Sequence, residues 1–269
     1  MSGPPCTAVG TIASMHTRVS TFADRSKHVA RRAISGVVSN ASNAYYGRWY
    51  YSNRWHPHHA MLQRALDETA DYISEHMTSA MIKRNDIGVL NGALSEASTD
   101  GLYFEFGVRS GRSINHIARR RPKVTVHGFD SFEGLPEAWT GWTFERGGFG
   151  GEGIPKVEPN VELHVGWFDD TLGPFVADHP GHVSFVHIDS DIYSSARTIL
   201  RGLAAGLQPG SVIVFNEYFN YPNWKQHEFR AFQEFCEEYH VTYDYLCWGM
   251  YEVAVKITAI GPDRAEVDQ

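Results

Sequence analysis

From Leu102 to about Tyr239 short apolar runs, each ending in a polar residue or glycine, are interspersed with stretches at helical spacing. The apolar runs fall at 102–106, 124–129, 161–165, 183–188 and 211–215, and the helical stretches at 112–120, 194–207 and 225–239. Parallel strands need crossover connections and bury both faces, so strands alternating with helices dictate a mostly parallel sheet covered on both sides. Two further runs, 243–246 and 252–257, are close enough to pair as an antiparallel hairpin. The predicted fold class is α/β. It is a Rossmann-like, doubly wound, mostly parallel sheet with helices on both faces, a C-terminal antiparallel hairpin and a helical N-terminal extension.

In that extension Leu62, Leu66, Ala70, Ile73, Met77, Met81 and Ile82 recur at helical spacing, which predicts one or two amphipathic helices between 60 and 91. Residues 41–98 are read as a helical cap and oligomerisation region, because Tyr45, Tyr46, Trp49, Tyr50, Tyr51 and Trp55 form an aromatic belt too rich to leave in water. A homo-oligomer is expected. His56, His58 and His59 flank Pro57 without acid or cysteine neighbours and read as surface residues. Residues 1–40 set five basic residues, Arg18, Arg25, Lys27, Arg31 and Arg32, against Asp24, and are expected to form a mobile or partner-facing arm rather than a presequence. Residues 99–260 make the main domain and 261–269 a tail.

A formal net charge of −7 disfavours a polyanionic partner, so neither nucleic acid nor an acidic membrane surface is expected. No apolar run approaches the roughly 20 residues of a membrane span. Cys6, Cys236 and Cys247 have no metal-like spacing and cannot all pair within one chain, which points to a reducing, cytoplasmic setting.

In open parallel sheets ligands bind outside the carboxyl ends of the strands. Here those ends carry Glu105 and Gly107, then Asp130, then Gly166 and Trp167, then Asp189 and Asp191, then Asn216 and Glu217. Gly107 and Gly111 allow close backbone approach of a ligand ahead of a helix start with free N–H groups. Asp130 is placed to accept hydrogen bonds from ribose hydroxyls, which suits NAD and S-adenosylmethionine equally. The first loop separates the two: it lacks the three-glycine dinucleotide fingerprint, and a carboxylate at Glu105 suits a ligand with a positive end rather than a diphosphate. Alternatively, Glu105 is a strand acid paired with Arg109 or Arg112.

The segments Tyr103-Phe-Glu-Phe-Gly-Val-Arg-Ser-Gly-Arg-Ser113, Gly128-Phe-Asp-Ser-Phe-Glu-Gly-Leu-Pro136, Gly166-Trp-Phe-Asp-Asp-Thr-Leu172, His187-Ile-Asp-Ser-Asp-Ile-Tyr-Ser-Ser195 and Val214-Phe-Asn-Glu-Tyr-Phe219 occur in this order. Together they resemble class I S-adenosylmethionine-dependent methyltransferases of the macrocin (mycinose-pathway) O-methyltransferase type, over about residues 100–257. The resemblance implies a first motif that cradles the methionine part of the cofactor, through Glu105, Phe106, Gly107, Ser110, Gly111 and Ser113. It implies ribose binding at Asp130 beside Ser131 and Phe132, with further cofactor contacts at Gly166, Trp167, Phe168 and Asp189. It also implies a magnesium ion held by acids after the fourth and fifth strands.

Magnesium takes oxygen ligands and keeps several waters, so Asp189, Asn216 and Glu217 form a sufficient set. Asn216 departs from the family, which carries an acid there, and its amide oxygen is a weaker, uncharged ligand. The competing reading has Asp189 orienting substrate hydroxyls without a metal. Asp189 and Asp191 are the candidate catalytic residues, Asp191 as general base or as a hydrogen-bond partner of a ligand. His187 reads as a packed core histidine. Tyr218, Tyr221 and Trp224 either wall an acceptor pocket or pack beneath a lid. The insert from Glu137 to Pro159, with Gly147-Gly-Phe-Gly-Gly151, is placed as a mobile lid.

The expected activity is methyl transfer from S-adenosylmethionine to a hydroxyl of a small-molecule natural product or sugar. The rivals are an NAD-dependent oxidoreductase and a cofactor-binding module without chemistry.

Overall fold

The computed structural model describes residues 56–261. The expected basic arm, the aromatic belt from Tyr45 to Trp55, Cys6 and the tail beyond 261 lie outside the described residues. Helix α1 (Pro57–His76) leads through a two-residue strand β1 (Met81–Ile82) to α2 (Asp86–Glu96). The amphipathic stretch is thus two helices, but Met81 and Ile82, expected on the helical stripe, form an exposed edge strand paired with the strand Thr242–Trp248, and the second helix starts where the Asn85 side chain accepts the Gly88 N–H at 2.9 Å and caps the first turn.

The alternation then follows as predicted, with one helix added, α4: β2 (Leu102–Phe106), α3 (Arg112–Arg120), β3 (Val126–Asp130), β4 (Val161–Val165), α4 (Phe168–Asp178), β5 (Val183–Ile188), α5 (Tyr193–Leu203), β6 (Val212–Phe215) and α6 (Glu228–Glu238). The hairpin β7 (Thr242–Trp248) and β8 (Val253–Ala259) closes the order. One eight-stranded sheet results, ordered β1-β7-β8-β6-β5-β2-β3-β4. It is parallel from β6 to β4, while β8 runs antiparallel to both β6 and β7.

Side-chain alternation along the strands builds two cores. Phe104, Phe106, Val186, Ile188, Ile213 and Phe215 face α4, α5 and α6. Tyr103, Val126, Phe185, Val212 and Val214 face α2 and α3. The chain runs outward from β2 to β3 and β4, then returns to lay β5 and β6 on the other side of β2. Its topological switch point is therefore the β2–β5 boundary, where such sheets bind ligands.

Helix α4 was not legible as a helix, because Gly173-Pro174 interrupts it. It forms because Leu172 and Phe175, three residues apart, bury one face, and Asp169 and Asp170 suit the positive first turn. The insert 137–159 carries no helix or strand of its own, but Trp139 is buried and packs on Phe144 at 5.9 Å and on Tyr221 at 5.5 Å between ring centroids.

Candidate active site

At the switch point the ends of β2 and β5 touch. The Asp189 N–H donates to the Phe106 carbonyl at 2.8 Å, and Gly107 sits at φ +92° with no room for a Cβ against the Asp189 carbonyl oxygen. Glycine is required here by both conformation and space. Gly111, at φ +77°, caps α3 in the left-handed region, and Ser110 beside it is exposed.

Asp130, at the end of β3, accepts the Arg109 N–H at 2.7 Å with one oxygen and the Phe132 N–H at 2.7 Å with the other. Both donors belong to residues with positive φ, so Asp130 fixes two strained turns at once. Ser131 accepts the Glu133 N–H at 3.1 Å. Gly166 and Trp167 lie half-buried where β4 passes into α4, and the Gly166 N–H donates to the Asp130 carbonyl at 3.0 Å. Phe106 and Phe168 are core partners rather than open surfaces, with ring centroids 5.4 Å apart.

Glu105 pairs with neither Arg109 nor Arg112. Arg109 bonds Glu152 at 2.8 Å and Arg112 bonds Asp86. The fully buried Glu105 carboxylate takes the His187 ring Nδ1 at 2.8 Å and the Ser113 hydroxyl at 3.1 Å. His187 is the packed, hydrogen-bonded histidine expected from its place in the strand. Burial opposes its charged form, but the hydrogen bond and charge of Glu105 outweigh this and hold its pKa above the ordinary value.

Beyond β5 and β6 the acids converge. Asp189, Asp191 and Glu217 bring one carboxylate oxygen each to within 4.8 Å of one another. Asp191 reaches the group because its backbone adopts φ +65°, which an aspartate tolerates better than most residues. Asn216 donates its side-chain N–H to Glu217 Oε1 at 2.6 Å, which leaves its own Oδ1 as the remaining ligand atom, while Glu217 Oε2 is buried with no donor. Burial, and then the neighbouring acids, raise all three carboxyls: Asp189, where His187 counteracts part of the shift, to about 6, and Asp191 and Glu217 further. Such crowding of carboxylates, with Glu217 Oε2 lacking any donor, fits a divalent cation bound by oxygen ligands.

Sequence reasoning missed Glu228. Its fully buried carboxylate accepts the N–H groups of Ser190 and Asp191 at 3.2 Å each and of Glu217 at 3.1 Å, tying the β5 and β6 loops together. Burial raises its pKa to about 7, against the lowering effect of those N–H groups. A signal was present, since Glu228 shares the buried stripe of α6 with Ala231, Phe232 and Phe235.

Tyr218 and Tyr221 are fully buried and pack rather than line an open pocket, whereas Trp224, also buried, borders a cavity it shares with Ala65, Pro222 and Lys225, which none of the clustered acids lines. The insert folds back on the first loop through the Arg109–Glu152 ion pair and through Arg109, whose guanidinium carbon stands 4.8 Å from the centroid of the Phe149 ring.

Against known proteins, this region stands out. Residues 104–218 match a methyltransferase domain. That segment runs from the middle of β2 to just past β6 and contains Glu105, Asp130, Asp189, Asp191 and Glu217. Among solved structures, the calicheamicin methyltransferase CalS11 is similar at 22% identity and TM-score 0.53, over 64% of this chain and 78% of that one. The O-methyltransferase NovP is similar at 18% identity and TM-score 0.47, over 64% and 77% of the two chains. An O-methyltransferase from Bacillus cereus in complex with SAH is similar at 15% identity and TM-score 0.41, over 78% and 95%. At 22% identity the likeness to CalS11 is one of fold. No curated protein matches the chain.

Proposed function

We propose that this protein is an S-adenosylmethionine-dependent O-methyltransferase of the macrocin type, acting with magnesium on a hydroxyl of a sugar or other small natural product. The observation that carries the reading is the meeting of Asp189, Asp191 and Glu217 beside the Gly107–Asp189 crossing, inside the segment that matches a methyltransferase domain. The described helices include none long and apolar enough to cross a membrane, and a small dissolved acceptor agrees with the charge. S-adenosylmethionine supplies an electrophilic methyl group for in-line displacement by the acceptor oxygen.

The chain's own residues then have three tasks. Asp130 receives the ribose while it holds the turns at Arg109 and Phe132. Glu105, held by Ser113 and His187, sets its carboxyl group beneath the loop that would meet the ligand's ammonium end. Asp189, Glu217 and Asn216 Oδ1 would hold magnesium, and with it the acceptor hydroxyl, beside Asp191. Asp191, with one carboxylate oxygen within 4.8 Å of those of Asp189 and Glu217, is the candidate base for the hydroxyl proton.

Methyl-labelled S-adenosylmethionine, offered with a panel of nucleotide sugars and glycosylated natural products, tests the reading by mass spectrometry. Labelled methyl ether that disappears with excess chelator and returns with magnesium supports it. Cofactor binding without transfer to any acceptor favours the binding-module alternative.

A further inference from the structure

On the outer strands of the sheet, a second group of metal-binding side chains shares no residue with the carboxylates above. We propose that His127, His164 and Glu162 form a binding site for a zinc-class divalent transition metal that clips β3 to the edge strand β4. In the parallel ladder His127 lies opposite Glu162, and His164 follows two residues later, so all three side chains stand on the face that α4 covers.

His127 Nδ1 is 3.3 Å from His164 Nε2 and 3.6 Å from Glu162 Oε2, and one ligand atom from each residue lies within 4.8 Å of the others. Ligands at about 2.0–2.1 Å around a tetrahedral zinc are separated by roughly 3.3 Å, so the donors already stand near their working spacing. Two imidazoles and one carboxylate form a donor set that favours zinc, cobalt or nickel over magnesium.

The rings are fixed by packing. His164 stacks on Phe129 at 4.5 Å, and Phe175 of α4 lies 4.7 Å from both histidine rings. Burial lowers the pKa of His127 to about 4 and also lowers that of His164, so both offer lone pairs rather than charge at neutral pH. Glu162 is exposed, which gives an ion a path from solvent. His179, just past α4, has its ring centroid 6.0 Å from that of His127. Its Nδ1 donates to the Phe175 carbonyl at 3.0 Å and it does not join the three residues whose ligand atoms lie within 4.8 Å of one another, so the fourth position falls to water.

Cobalt titrated into the chelator-treated full-length protein tests the proposal, since four-coordinate cobalt absorbs visible light far more strongly than six-coordinate cobalt. The expected result is one equivalent of intense absorption in the wild type and in Asp189→Asn, bound at least about tenfold more weakly in Glu162→Gln and absent in His164→Ala. Zinc should raise the melting temperature of the wild type and not of His164→Ala. Glu162→Gln alters an exposed side chain and carries the test if His164→Ala does not fold. Absence of intense absorption, its persistence at full affinity in Glu162→Gln, or its loss in Asp189→Asn would overturn the proposal and leave His127 and His164 as an ordinary imidazole hydrogen bond.

Discussion

Glu105 and His187 face each other across the β2–β5 boundary, in register and buried, with 2.8 Å between carboxylate oxygen and ring nitrogen. Removing one member of such a pair strands the other in a low-dielectric interior, so Glu105→Ala should cost about 3–5 kcal/mol in urea unfolding. The pH dependence has a definite sign. His187 is raised in the folded protein, so its stabilising contribution is complete below the ordinary value of 6.5 and is lost as pH rises through the higher folded value. Stability measured from pH 6 to 9 should show this loss in the wild type and a flatter profile in Glu105→Gln. Identical profiles would separate His187 from Glu105.

Glu228 places Asp191 and Glu217 by holding their backbone N–H groups. Glu228→Gln keeps the volume but exchanges one acceptor oxygen for a donor, so one loop is released. Methyl-transfer activity should fall roughly 10–100-fold with far-ultraviolet circular dichroism unchanged. Full activity would leave Glu228 a packing residue only.

Gly107→Ala would set a Cβ against the Asp189 carbonyl in a left-handed backbone conformation. The expected cost exceeds about 2 kcal/mol, and activity at a temperature where the variant is still folded should be lost with it. A variant as stable as wild type would show that the two strand ends do not touch.

Arg109 joins the insert to the first loop through Glu152 and Phe149. If this contact closes the lid, Glu152→Gln should speed limited proteolysis within residues 137–159 and raise the Michaelis constant for S-adenosylmethionine more than it lowers turnover. Unchanged cleavage in that segment would deny the latch.

Much of this architecture can be read from the chain because its strands are apolar and end in polar residues. Where boundaries moved, a local bond explains it. The Val124 N–H turns back to the Arg121 carbonyl, so the β3 ladder starts at Val126 rather than 124. Individual site residues were legible as strand-end acids, but their partners were not. His187 meets Glu105 through a register between strands 82 residues apart, which no local pattern encodes. Asp191 joins Asp189 and Glu217 only through its left-handed backbone turn. Glu228 stood out only as an acid on the apolar stripe of α6, and the N–H groups it holds come from loops 11 and 37–38 residues away, which that stripe does not encode.

Calorimetry with S-adenosylmethionine, NAD and the Asp130→Ala variant tests the central claim most directly. The account predicts binding of S-adenosylmethionine to the wild type, no heat with NAD, and roughly 30-fold weaker binding in a folded Asp130→Ala protein, equivalent to about 2 kcal/mol from lost charge-assisted hydrogen bonds. Binding of NAD in place of S-adenosylmethionine, or equal affinity in the variant, would contradict it.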